Sequence, residues 1–120
     1  MILADTSVWI DHFRHGRSRL GQLLLDGEVV SHPFVIGEVA CGSLTNRGEI
    51  LILLETLPKV VIADHLEVLR LVDTKRLYGR GLGWIDMHLL ASARLGRQSL
   101  WSADRRLRET ATRLGLTDAE

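Results

Sequence analysis

Ile2-Leu3-Ala4-Asp5-Thr6-Ser7-Val8-Trp9-Ile10 is the stretch on which the fold turns. Three apolar residues end at an acid, and Thr6 or Ser7 can cap the helix that follows. Val8, Trp9, Ile10 and Phe13 give that helix an apolar face, and Gly16 stops it. A buried strand that runs straight into a capped helix is the opening of an α/β unit. The rest of the chain repeats this grammar. Ser18–Asp26 reads as a second amphipathic helix, with Leu20, Leu23 and Leu24 on one side and Gly27 at its end. Val29-Val30 reads as a strand, and Pro33 opens a helix over Phe34–Leu44 that is apolar on nearly every side. Gly48–Leu57 is helical, and Pro58 breaks it before the β-branched run Val60-Val61-Ile62, read as a third strand.

Asp64–Tyr78 is a long amphipathic helix, capped by Asp64 with Glu67 and turning Leu66, Leu69, Leu71 and Val72 inward. Gly79, Gly81 and Gly83 make a loop, Trp84–Leu95 is helical, and Ser99-Leu100-Trp101 reads as a fourth strand. An arginine-rich helix from Asp104 to Gly115 follows, and Leu116–Glu120 either adds a fifth strand or frays. Short apolar strands alternating with helices predict a parallel sheet of four to five strands, covered by helices on both faces. With 120 residues the expectation is one domain over 1–120.

Composition narrows the function. One cysteine forms no internal disulfide, and no apolar run reaches the length of a membrane span. The opening residues lack the basic segment of a signal peptide, so a cytoplasmic protein is expected. The 15 basic and 15 acidic residues cancel, although a nucleic-acid binder usually carries a basic excess. The first 60 residues hold 5 basic and 7 acidic groups and the last 60 hold 10 and 8, with arginine supplying 13 of the 15 cations. Arginine's planar fork suits phosphate as well as carboxylate.

In open parallel sheets, ligands sit outside the carboxyl ends of the strands. Asp5 closes the first strand, and Asp104 follows the fourth within three residues. Asp86 lies at the start of the Trp84–Leu95 helix. Taken singly, each of these acids reads as a helix cap. Glu38 does not, because it stands mid-helix among Phe34, Val35, Ile36, Val39, Ala40 and Cys41, where an unpartnered carboxylate is costly to bury. The topology can bring Asp5, Glu38, Asp86 and Asp104 to one rim. Four carboxylates crowded together raise one another's pKa, and a bound cation removes that penalty. Oxygen donors without a cysteine or histidine cluster favour Mg²⁺ or Mn²⁺ over zinc.

Other candidates are weaker. Cys41 reads as a small buried hydrophobe, and His12, His15, His32, His65 and His88 show no metal-binding spacing and read as surface or internally satisfied. Gly79–Gly83 matches no phosphate-binding loop, and no nucleophile elbow surrounds Ser7 or Ser102. Trp9, Trp84 and Trp101 read as core.

The Ile2–Ile10 stretch, Glu38 in its helix, Gly83-Trp84-Ile85-Asp86-Met87-His88-Leu89-Leu90 and Leu100-Trp101-Ser102-Ala103-Asp104 together resemble the PIN-domain family, and within it the VapC-type toxins of bacterial toxin–antitoxin pairs. The resemblance spans essentially the whole chain. It implies a Mg²⁺-dependent endoribonuclease, with Mn²⁺ able to substitute, in which Asp5 and Asp86 are the principal metal ligands. Glu38 and Asp104 complete the cluster, and Thr6 or Ser7 and Ser102 support it. It further implies an RNA substrate, a homodimer, and a VapB-type antitoxin whose contact would fall on exposed apolar residues of the first helices. The closing motif often reads Thr-x-Asp in relatives; here Ser102 keeps the hydroxyl. A haloacid-dehalogenase-like phosphatase would need an acid at position 7, where Ser7 stands, and a phosphorelay receiver would need an early acidic pair. The remaining rival is a PIN-like binding or assembly module without catalysis, which a missing acid would favour; none is missing. Arg94, Arg97, Arg105, Arg106 and Arg108 lie in elements flanking the acids, each readable as a phosphate contact or a solvated face.

Overall fold

The computed structural model describes residues 1–16 and 18–117. Its sheet is wholly parallel and built on β1 (Ile2–Ala4), which lies between β2 (Val29–Val30) and β3 (Ser99–Trp101). Ile2 pairs with Val29 on one side and Ser99 on the other, and Ala4 pairs with Trp101. β1 and β2 are buried along their whole length, as a sheet covered on both faces requires. Two further segments extend the sheet at its edges. Ser31 and Lys59 make a parallel bridge beside β2, and the Leu100 N–H donates to the Leu116 carbonyl at 2.6 Å beside β3. The run Val60–Ile62 leaves the sheet after Val60 because Ala63 N–H takes the Ser92 hydroxyl at 3.1 Å, which turns the chain toward the next helices and leaves Val61 and Ile62 exposed.

Among the described residues seven helices surround this sheet: α1 (Thr6–His15), α2 (Ser18–Leu25), α3 (Pro33–Cys41), α4 (Arg47–Thr56), α5 (His65–Thr74), α6 (Trp84–Gly96) and α7 (Arg105–Arg113). α3 packs on α4 and α1, α5 packs on α6, and β3 lies against α6 and α7. Local chemistry sets most of their ends. Gly16, at φ 71, closes α1, and Asp64 with Glu67 forms the expected reciprocal capping box at α5. The cap of α1 is Asp5 itself, which accepts from Val8 N–H, rather than Thr6 or Ser7.

Three expectations are corrected. On α5 the inward face is Val68 and Leu71, whereas Leu66 and Leu69 are exposed. Helix α3 is not apolar all round: Val35, Ile36 and Val39 are buried, while Phe34, Gly37, Glu38 and Cys41, at helical spacing, form one exposed stripe. Cys41 is therefore a surface thiol and not a core residue. Among the described residues no helix is long and apolar enough to cross a membrane.

Core and cap should separate cleanly in urea denaturation. Leu71→Ala, which empties a buried site, is expected to cost about 2–5 kcal/mol. Asp64→Ala, which removes one arm of the capping box, is expected to cost about 1 kcal/mol.

Candidate active site

The carboxyl ends of β1 and β3 open onto one rim. Asp5 leaves β1 with its amide donating to the Trp101 carbonyl at 3.0 Å, so its position is fixed by the sheet. Its carboxylate is buried, 6% exposed, and yet is fully engaged. The Ser7 hydroxyl donates to Oδ1, Val8 N–H donates to Oδ1 at 3.2 Å, and the Ser102 hydroxyl donates to Oδ2 at 2.6 Å. Both serines are oriented in turn, since Ser7 Oγ accepts from Ala103 N–H at 3.0 Å and Ser102 Oγ accepts from Asp104 N–H at 2.9 Å. Burial pushes the Asp5 pKa above the ordinary carboxylate range, and the Ser102, Ser7 and Val8 hydrogen bonds pull it partly back.

Asp86 reaches the rim from the first turn of α6. One oxygen accepts from Gly83 N–H at 3.0 Å, at the end of a loop in which Gly79 and Gly81 both have positive φ. Its pKa is raised chiefly by burial, opposed by the Gly83 bond, and raised further by the negative charges of Asp104, Asp5 and Glu38. The fields of all three other acids thus converge on Asp86. Asp104 caps α7 by accepting from Leu107 N–H at 3.0 Å. Glu38 is solvent-exposed rather than buried as its sequence neighbours led one to expect, and it accepts from the Thr6 hydroxyl at 2.6 Å.

The structure therefore gives Asp5, Asp86 and Asp104 the capping bonds that each residue read singly would predict, and brings Asp86 within the electrostatic reach of Asp104, Asp5 and Glu38. The capping and hydroxyl bonds use only one oxygen each of Glu38, Asp86 and Asp104, so three carboxylate oxygens remain for a ligand. The donor set is entirely oxygen, which fits a hard divalent cation, and such a cation would offset the mutual repulsion sensed at Asp86. Among the described residues, no three of these side chains are already drawn into a ready-made metal cage.

A neighbouring feature escaped the sequence reading. His32 and His88 are buried, and with Phe34 and Trp84 they form a run of ring contacts, Phe34–His88 at 4.7 Å and Trp84–His88 at 4.8 Å between centroids. His32 Nδ1 accepts from Phe34 N–H and caps α3, which puts the proton of the neutral ring on Nε2. Burial, with the nearby His88, pushes the His32 pKa down to about 4. His32 standing directly before Pro33 at the start of α3 was the available signal, because a side chain in that place caps the helix.

The family model described as the PIN domain matches residues 2–113. The chain belongs to the PIN-domain family. Ribonuclease VapC32 of Mycobacterium tuberculosis, from strain CDC 1551 / Oshkosh and from strain ATCC 25618 / H37Rv, is 48% identical over 121 residues, covering 100% of this chain and 98% of the relative. This PIN domain accordingly has a full-length counterpart, with an aligned length one residue greater than its own.

Two outcomes follow from the electrostatics of this PIN domain. Asp5 and Asp86 have raised pKa values in the fold, so their contribution to stability is full below the unfolded carboxylate pKa and is lost as pH rises through the folded value. In EDTA at neutral pH, Asp86→Asn is expected to raise Tm by about 2–5 °C, with the gain shrinking toward acid pH in calorimetric scans. Ser102→Ala removes a donor from the buried Asp5 and is expected to cost about 1–3 kcal/mol at neutral pH.

Proposed function

We propose that this chain is a divalent-metal-dependent endoribonuclease, the toxin of a toxin–antitoxin pair, that hydrolyses RNA phosphodiester bonds at Asp5, Glu38, Asp86 and Asp104. The observation that carries this reading is the convergence on Asp86 of the charges of Asp104, Asp5 and Glu38, in a chain alignable end to end with proteins named ribonucleases. Four acids kept at mutual electrostatic cost are what a metal-assisted hydrolase requires.

Asp5 and Asp86 would be the principal ligands of Mg²⁺, with Mn²⁺ able to replace it, and Glu38 and Asp104 would complete the set directly or through water. When bound, the ion would lower the pKa of a coordinated water and offset charge building on the phosphate. Ser7 and Ser102 oppose the effect of burial on Asp5 and fix its direction by donating to both of its oxygens. Thr6 holds one oxygen of Glu38, leaving the other to orient the attacking water. Asp104 is fixed to the first turn of α7 through its bond from Leu107 N–H. The domain 1–120 would work in the cytoplasm as a homodimer, restrained by a VapB-type antitoxin. Of the first two helices, α2 offers Leu25, 82% exposed, as an apolar contact for that partner.

The test is incubation of the purified protein with total bacterial RNA in Mg²⁺, Mn²⁺ or EDTA, with cleavage ends mapped. Discrete cuts are expected with either metal and none in EDTA. Asp5→Asn, Glu38→Gln, Asp86→Asn and Asp104→Asn are each expected to lower the rate by about 10²-fold or more while the fold is kept. Absence of cuts by antitoxin-free wild type under every condition would favour a non-catalytic binding module.

A further inference from the structure

A cavity of about 460 Å³ is lined by Arg80, Arg106, Glu109, Thr110 and Arg113. Its charge is unbalanced. Glu109 is the one acid in the lining, and Arg105 already engages it at 2.9 Å. Among the described residues, none of Arg80, Arg106 and Arg113 forms an ion pair. Two of them are instead held by neutral backbone carbonyls: Arg80 Nε donates to Arg76 O at 2.9 Å, and Arg113 Nη2 donates to Lys75 O at 3.0 Å. A carbonyl fixes a guanidinium without cancelling its charge, so most of its donors and its full charge stay available. Arg106 lies so closely over Gly81 that a Cβ there would stand 2.6 Å from its Nη1, and Gly81, at φ +77, leaves that room.

Converging like charges repel, and the missing counter-charge is anionic, with an oxygen geometry that guanidinium forks match. Along the chain, Arg106 stands two residues beyond Asp104 on α7, and Gly81 two residues before Gly83, whose N–H holds Asp86.

We propose that Arg80, Arg106 and Arg113 form a phosphate-binding subsite that grips the RNA backbone. The inference rests on the ribonuclease reading for the identity of the polyanion, and it is tested separately from that reading by binding rather than cleavage.

The probe is a fluorescently labelled single-stranded RNA of mixed sequence. Its anisotropy is measured against full-length protein carrying Asp86→Asn, over a salt range of about 50–200 mM. Arg80→Gln, Arg106→Gln and Arg113→Gln, which remove charge but keep a donor, are each expected to flatten the slope of log K against log[salt] by about 0.7, and the triple variant by about 2. The three Arg→Lys variants should keep the slope, and Arg70→Gln on α5 should not change it. An unchanged slope in the folded triple variant overturns the subsite, as does a changed oligomeric state with RNA binding intact, which would assign the cavity to a protein contact. If the slope flattens while wild type cleaves no RNA with any metal, the subsite stands and the nuclease reading falls. If wild type cleaves and the slope does not move, the reverse holds.

Discussion

The two serine hydroxyls that donate to Asp5 are the constraint on which the rest of this structure depends. Each hydroxyl relays a backbone N–H from the turn before α7, Ala103 through Ser7 and Asp104 through Ser102, to one buried carboxylate at the end of the central strand. Residues nearly a hundred positions apart in sequence are locked together at a polar point where the core itself offers only apolar contact. Without these donors a carboxylate at this depth would be strongly disfavoured, and with them it stays ionisable at a fixed place. The same bonds orient the first turn of α7, so the position of Asp104 follows from the position of Asp5. Sheet pairing, helix start and rim geometry are in this sense one interaction network.

Much of this architecture is legible in the sequence because its local signals agree. Gly16, Pro33, Asp64 with Glu67 and the glycine loop at 79–83 each end or start an element where their backbone chemistry says they should. What could not be read was which of two apolar stripes a helix buries. On α5 the sequence offers Leu66 and Leu69 as readily as Val68 and Leu71, and only the packing of α5 on α6 selects the second pair. Sheet edges were unreadable for a related reason. Val60–Ile62 has every strand-forming residue, but pairing depends on a neighbour, and after Val60 the neighbour is the Ser92 hydroxyl rather than a strand.

Glu38 shows how a sequence window misjudges exposure. Its apolar sequence neighbours implied burial, whereas α3 turns it outward with Phe34, Gly37 and Cys41. A one-dimensional window averages around a helix, and the neighbours that matter are three and four residues away, not one and two. The carboxylate is nonetheless tied to the rim, by the hydroxyl of Thr6 from another helix. That partner, like Ser102 for Asp5, comes from far along the chain. The acids themselves were visible as residue types at strand ends, and the hydroxyls that fix their directions were visible only as polar company.

The zero net charge looks at first like an argument against a polyanionic substrate. Net charge is a sum, however, and a substrate meets a field. In this chain Asp86 and Asp104 stand at helix starts, where N–H groups satisfy them, and Arg80 before α6 and Arg113 at the end of α7 are held by carbonyls. Both backbone polarities are used as uncharged partners, so neither set of side chains needs the other for neutralisation. Had the arginines paired with the rim acids, the chain would have the same composition and neither a site able to take a cation nor a flank able to take a phosphate. The separation of the two sets, rather than their totals, is what lets a neutral protein of this size present both charges to one strand of RNA.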